Sequence, residues 1–220
     1  MARLELSNGC NLWNFNNNGM DTSADLVRLH YSNNAIYFQD AFPDSLREYA
    51  LTVLDTHYPV EGFVGDGTKG GIRIVDPNMR QSEVRFIHLK NETKPIFDWI
   101  SNFGNEYRWY FSGKFGKIAN LKNKVMSKLS PEPIQITTYK YNNFYKWHID
   151  GREGDKRKLT LISPLSSSKD YSGGELQFKD EDVPDWALDV GSVILVRPEL
   201  QHRVTPVTKG VRNSLITWFR

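Results

Sequence analysis

His148-Ile149-Asp150, with His202 and then Arg212 downstream, are the residues of this chain whose types and spacing fit chemistry. A His-X-Asp pair with a distant second histidine is the spacing of a two-histidine, one-carboxylate facial triad. Such a set holds Fe(II) on one face and leaves the opposite positions open. Residues two apart on a strand project to the same side, so His148 and Asp150 are expected to point inward while Ile149 points away. The third ligand must then come from an adjacent strand at matching depth, and His202 opens a later β-type run. His30, His57 and His88 have no such company and read as surface or partly buried residues. His57 follows the last turn of a helical pattern, where a cation is favoured by the helix dipole.

Arg212 carries the second half of the argument. Arg212, Ser214, Ile216 and Trp218 alternate onto one face of the last run. If that face lines a barrel interior, a guanidinium sits in a largely apolar cavity, which is costly unless an anion meets it. A dicarboxylate fits that need, one end chelating the metal and the other forming a bidentate pair with Arg212. Tyr139 and Ser214 each offer a hydroxyl to the same carboxylate.

Positioning these groups takes a β scaffold. After Pro131 the sequence breaks into short β-type runs: IQITTYKY, FYKWHID, KLTLISPL, GELQF, DWALDV, SVILVRP, HRVTPV and RNSLITWF. The punctuation between them includes Asn142-Asn143, Ser172-Gly173-Gly174, Gly191 and Lys209-Gly210. This pattern predicts a two-sheet antiparallel barrel or jelly roll. Before Pro131 lie helical patterns. Asp44 is placed to cap a helix carrying Leu46, Tyr49, Ala50, Val53 and Leu54 on one face. A second starts near Thr93 with Pro95 in its first turn and Ile96, Phe97, Ile100 and Phe103 as its stripe. Ile118, Leu121, Val125, Met126 and Leu129 form a third. Each has one apolar face, so the helices are expected to cover one sheet. The fold class is therefore α+β, mainly β: a double-stranded β-helix of the jelly-roll, cupin-like kind with supporting N-terminal helices. The chain reads as one domain, with an Asn-rich extension over 1–34, a helical support region over 35–130 and the barrel core over 131–220. Asn8-Gly9 marks a hairpin turn within the extension.

The bulk composition excludes several classes. With 28 basic against 26 acidic residues the net charge is +2, too small for the electrostatic footprint of a general nucleic-acid binder. No segment approaches the length of a membrane span, and the start lacks the apolar core of a signal peptide. The one cysteine, Cys10, cannot close an intramolecular disulfide, so a reducing cytoplasmic setting is expected. Asp180-Glu181-Asp182 and Lys122-Asn123-Lys124 read as solvated charge clusters.

At these residues the chain resembles the Fe(II)- and 2-oxoglutarate-dependent dioxygenases of the prolyl 4-hydroxylase-like branch. The segments that carry the resemblance are Tyr139 to Asp150 (YKYNNFYKWHID), Asp170 to Leu176 (DYSGGEL) and His202 to Arg212 (HRVTPVTKGVR). PKHD-type hydroxylases share the Gly-Gly-Glu-Leu and the His-Arg-Val-Thr-Pro-Val-Thr wording. The resemblance implies that His148, Asp150 and His202 bind iron and that Arg212, with Tyr139, holds the remote carboxylate of 2-oxoglutarate. It also implies O2 as co-reactant, ascorbate as reductant, and a proline pocket formed by Tyr145, Arg157 and Trp218. Pro164 departs from the pattern: many members have an aromatic near that place, and a proline there suggests a strand end or edge.

The expected activity is hydroxylation of a C–H bond with release of succinate and CO2, on a prolyl residue of a peptide or protein. The alternatives are a free amino acid or small metabolite as substrate, or a non-catalytic metal-binding barrel module. A nucleic-acid dealkylase is disfavoured, because those relatives carry a second arginine six residues after the carboxylate-binding one and this chain has Trp218 there.

Overall fold

The inner strands Leu159–Pro164 and Val193–Val196 after Pro131 are buried on both faces, which is why the runs LTLI and VILV are nearly continuous in Ile, Leu and Val rather than alternating. In the computed structural model, which describes residues 3–5, 11–13, 29–65, 73–112 and 127–220, the runs after Pro131 become the centre of two facing antiparallel sheets. The strands of the two sheets are β1 (Leu29–Tyr31), β2 (Ala35–Phe38), β3 (Val60–Glu61), β4 (Arg80–Gln81), β5 (Glu83–Ile87) and β6 (Ile134–Tyr139). They continue with β7 (Phe144–His148), β8 (Leu159–Pro164), β9 (Leu176–Phe178), β10 (Val193–Val196), β11 (His202–Val204) and β12 (Arg212–Phe219). The major sheet runs β1-β2-β10-β8-β12-β6-β5-β3 and the minor sheet β9-β11-β7-β4. Outside them, residues 3–5 pair antiparallel with 11–13, and Tyr171–Gly173 pairs with Val207–Gly210.

The major sheet is buried on both faces, and the alternation sorts its residues cleanly. Ile36, Phe38, Ile134, Ile136, Leu159, Leu161, Val193, Leu195, Leu215 and Phe219 share one core with the helices. Their neighbours Tyr37, Tyr139, Ile162, Ile194, Val196 and Ile216 face the barrel interior. The helices are α1 (Asp44–Thr56) and α2 (Lys94–Ser112). α1 rests on β5 and β6 and α2 on β8, as the one-faced apolar patterns require. Ala50 and Val53 of α1 and Ile96, Phe97, Ile100 and Phe111 of α2 are buried in that core. Trp99 and Phe103 of α2 extend this layer, Phe103 meeting the Phe38 ring edge-on at 4.9 Å.

Several expectations change. Asp44 is the first helical residue rather than the cap; Pro43 precedes it with extended backbone, and Asp44 pairs instead with Arg47 at 3.0 Å. The DWALDV run is not a strand: Asp185–Leu188 forms a 3₁₀ turn, because Pro184 sets the entry and its carbonyl accepts the Ala187 N–H at 2.8 Å. The extension contributes β1 to the sheet edge, and the support region holds strands as well as helices. Glu181 is not merely solvated; it accepts from Ser32 Oγ at 2.7 Å and Asn34 Nδ2 at 2.6 Å, tying the β1–β2 turn to the barrel. Pro164 ends β8, as its missing N–H requires. Asn8-Gly9, Cys10, Lys122-Asn123-Lys124 and the third helical pattern through Met126 lie outside the described residues.

Candidate active site

β7 and β11 pair antiparallel with His148 directly opposite His202, so the two imidazoles emerge at the same depth on the inner face. Their ring centroids are 4.1 Å apart. Asp150 lies beyond the end of β7, not on it. Its backbone N–H and that of Gly151 both donate to the Pro198 carbonyl, at 2.9 and 3.1 Å, which turns the chain and returns the carboxylate to the histidines. Asp150 Oδ2 stands 3.7 Å from His202 Nε2, and the three candidate ligand atoms lie within 4.8 Å of one another.

Hydrogen bonds preset the donor atoms. His148 Nδ1 contacts the Lys146 carbonyl at 2.8 Å and His202 Nδ1 the Leu200 carbonyl at 2.9 Å. A carbonyl only accepts, so each Nδ1 carries the proton and each Nε2 presents its lone pair to the centre. Burial lowers the His148 pKa from 6.5 to about 3, helped by the neighbouring His202, which keeps the ring neutral as a ligand must be. Burial alone raises the pKa of Asp150, but the two imidazoles and the Thr160 hydroxyl, donating to Oδ2 at 2.9 Å, outweigh it and hold the carboxyl below its usual range. Two oriented imidazoles and one carboxylate on a single face fit Fe(II), with the cavity beyond them for other ligands.

That cavity has a volume of about 810 Å³ and opens between the two sheets. Arg212, Ser214, Ile216 and Trp218 all line it, so the alternation along β12 is realised. Arg212 is buried; its Nη1 donates to Ser214 Oγ at 3.2 Å, and its Cζ lies 5.5 Å from the centre of the Tyr139 ring. Gly174, at φ +62°, leaves space for this side chain, since a Cβ there would stand 3.2 Å from Arg212 Cδ. Tyr145 stacks on His148 at 3.4 Å and 12°. Three residues apart, the two would face opposite ways on a regular strand; the pairing with β11 shifts register between them and brings both inside. Burial pushes the Tyr145 phenol well above its usual pKa. Arg157 forms two bonds to Glu132, Nη2 to Oε2 at 2.9 Å and Nε to Oε1 at 3.1 Å, donates to the Asp150 carbonyl at 3.1 Å, and lies 3.9 Å over the Trp218 ring.

Every residue singled out from the sequence therefore borders one cavity, whereas His57 and His88 are exposed and His30 leans on Tyr37. Sequence reasoning missed Glu132, Arg80 and Thr160 as participants. Glu132 carries no local signal because Arg157 is remote along the chain, and Arg80, though bonded to Ser82 nearby, meets the Tyr145 ring only in the fold. Thr160 had one: it alternates with Leu159 and Leu161 and so must face inward.

The model of the 2OG-Fe(II) oxygenase superfamily matches residues 134–220, the segment that supplies the triad and Arg212. The match covers less than half of the chain. A PKHD-type hydroxylase of Idiomarina loihiensis is 31% identical over 101 residues, 44% of this chain and 46% of the relative. The chain spans about half the length of the curated relatives it matches. Among solved structures, a Pseudomonas putida prolyl-4-hydroxylase aligns with a TM-score of 0.54 at 18% identity, over 85% of this chain and 92% of the other. A Trichoplax adhaerens prolyl hydroxylase, solved in complex with a hypoxia inducible factor peptide fragment, aligns with a TM-score of 0.60 at 14% identity, over 86% and 84%. The chain thus has the double-stranded β-helix fold of these solved structures, and similarity to the superfamily implies Fe(II), 2-oxoglutarate and O2. Among the described residues no helix is long and apolar enough to cross a membrane.

Proposed function

We propose that this protein hydroxylates a prolyl residue of a peptide or protein, consuming 2-oxoglutarate and O2 and releasing succinate and CO2. The observation that carries the reading is the convergence in one cavity of His148, Asp150 and His202 with a buried Arg212 that has no counterion among the described residues. Iron bound with 2-oxoglutarate supplies the oxidising chemistry. The protein's part is to bind, orient and exclude water. His148 and His202 offer Nε2, and Thr160 fixes which carboxylate oxygen of Asp150 turns inward. Arg212 takes the remote carboxylate of 2-oxoglutarate, with the Ser214 and Tyr139 hydroxyls beside it. Tyr145 and Trp218 wall the substrate side, and Trp218 Nε1 is a buried donor with no hydrogen-bond partner among the described residues, suited to a peptide carbonyl. Arg157 props the Trp218 ring against Glu132 and so shapes the same wall.

The test is purified protein with Fe(II), 2-oxoglutarate and a panel of proline-containing peptides. Stimulated succinate release with a mass gain of one oxygen on the peptide, both lost in His148→Ala, is the expected result. Succinate release equal in wild type and His148→Ala would reject the ligand assignment.

A further inference from the structure

Two guanidiniums are fully buried in the cavity wall, and 2-oxoglutarate answers only one of them. Arg80, at the start of β4, is 6% exposed and lines the cavity on the side of Tyr145. Its Cζ lies 4.7 Å from the centre of the Tyr145 ring, whose stacking partner is His148, so a single aromatic ring separates this charge from the metal centre. The site is built rather than incidental. Nε donates to Ser82 Oγ at 2.7 Å and Nη1 to the Phe63 carbonyl at 3.2 Å, which fixes the plane of the guanidinium. Gly62 makes room for it, since a Cβ there would stand 2.5 Å from Arg80 Nε.

No carboxylate among the described residues pairs with Arg80. Arg157, by contrast, is neutralised by Glu132. Of the acidic residues lining the cavity, Asp76 Oδ1 accepts from the Asn78 N–H at 2.9 Å, Asp155 Oδ2 from the Arg152 N–H at 2.8 Å, and Asp150 Oδ2 from Thr160 Oγ1 at 2.9 Å. Neutral hydrogen bonds satisfy two edges of the guanidinium but leave its charge desolvated, a cost that an arriving anion removes.

We propose that Arg80 is a specificity anchor for a carboxylate on the substrate, an inference that rests on the oxygenase reading above. The planar donor edge left free at Nη2 suits a carboxylate, and the stacking on Tyr145 fixes where that carboxylate sits relative to the oxidised carbon. Two sources share this chemistry: an acidic side chain next to the target prolyl residue, or the α-carboxylate of a free amino acid.

Matched substrates separate them. End-blocked peptides carrying Glu-Pro or Pro-Glu are compared with their Gln counterparts, and free proline with prolinamide, in wild type, Arg80→Gln and Arg80→Lys. The acidic member of at least one pair is expected to lead by about 10- to 100-fold in kcat/KM in wild type, the range for a buried charge pair. Arg80→Gln should bring that ratio close to one, and Arg80→Lys, which keeps the charge without the fork, should retain part of it. Calorimetric binding of the same Glu and Gln peptides and of proline to the metal-free protein reads the preference without turnover. A ratio near one in wild type, or the same ratio in Arg80→Gln, overturns the anchor. Succinate formation measured in parallel tells the two readings apart: if it occurs without charge preference, only the anchor falls, and if it is absent with every substrate, the oxygenase reading falls while the binding comparison still decides on Arg80. Should Arg80→Gln not fold, Arg80→Lys carries the comparison, and an undiminished preference in it together with equal binding of the Glu and Gln peptides rejects the anchor.

Discussion

Arg212→Met is expected to weaken 2-oxoglutarate binding while raising the stability of the ligand-free protein. Arg212 is 3% exposed, and its polar contacts among the described residues are one hydrogen bond to Ser214 and the face of Tyr139. A buried charge without a counterion costs several kcal/mol in lost hydration. Against this stand about 1 kcal/mol for the hydrogen bond and up to about 2 kcal/mol for the cation–π contact. Methionine keeps an unbranched stem of similar reach. The balance favours the variant by about 1–2 kcal/mol, which at about 2–4 °C per kcal/mol raises the Tm of a chain this size by a few degrees. With 2-oxoglutarate present the sign reverses. The buried bidentate pair is lost, at about 3–5 kcal/mol, so the Kd rises by about two to four orders of magnitude. Titration of the Mn(II)-loaded protein followed by tryptophan fluorescence measures the second effect, with Trp218 in the cavity as reporter, and calorimetric melting of the ligand-free protein measures the first. A lower Tm for the ligand-free variant would refute the view of Arg212 as an uncompensated charge, and an unchanged Kd would refute its role as the carboxylate anchor.

Thr160→Val removes the hydroxyl that orients Asp150 while keeping the side-chain shape; metal affinity should fall about 10- to 100-fold by competition with a chromophoric chelator. An unaltered affinity would make that bond incidental. Glu132→Gln and Arg157→Gln, with their double variant, should show a coupling of about 1–3 kcal/mol in denaturant unfolding, because the pair is bidentate and largely covered. A coupling below about 0.5 kcal/mol would place it with ordinary surface pairs. Tyr37→Phe should stabilise by up to about 1–2 kcal/mol, since the Tyr37 hydroxyl is buried with no hydrogen-bond partner among the described residues. Burial first, then Glu181 and Asp182, raise the phenol pKa above 10.0, so the unfolded chain releases its proton before the folded one does. Stability present below pH 10 is therefore lost as pH rises beyond it in wild type but not through this group in Tyr37→Phe. Parallel stability curves for the two proteins above pH 10 would contradict this.

Much of the site is legible in the chain because periodicity is local. The spacing His148-Ile149-Asp150 and the alternation from Arg212 to Trp218 specify which side chains share a face, and the structure places them in one cavity. The near-continuous apolar runs likewise announce a sheet covered on both sides. Where the reading failed, a local pattern met a competing local rule: DWALDV alternates like a strand, yet Pro184 starts a 3₁₀ turn there.

Other features are set by contacts between residues far apart in the chain. Strand register puts His202 opposite His148, and the shift beside it turns Tyr145 inward against the alternation. The Pro198 carbonyl swings Asp150 back to the histidines from beyond the strand end. Arg80 meets Tyr145, and Glu132 meets Arg157, only when sheets and loops close on each other. Side-chain direction follows from backbone period and is written residue by residue, whereas the partner across a cavity depends on register and loop closure, which no short stretch of sequence encodes.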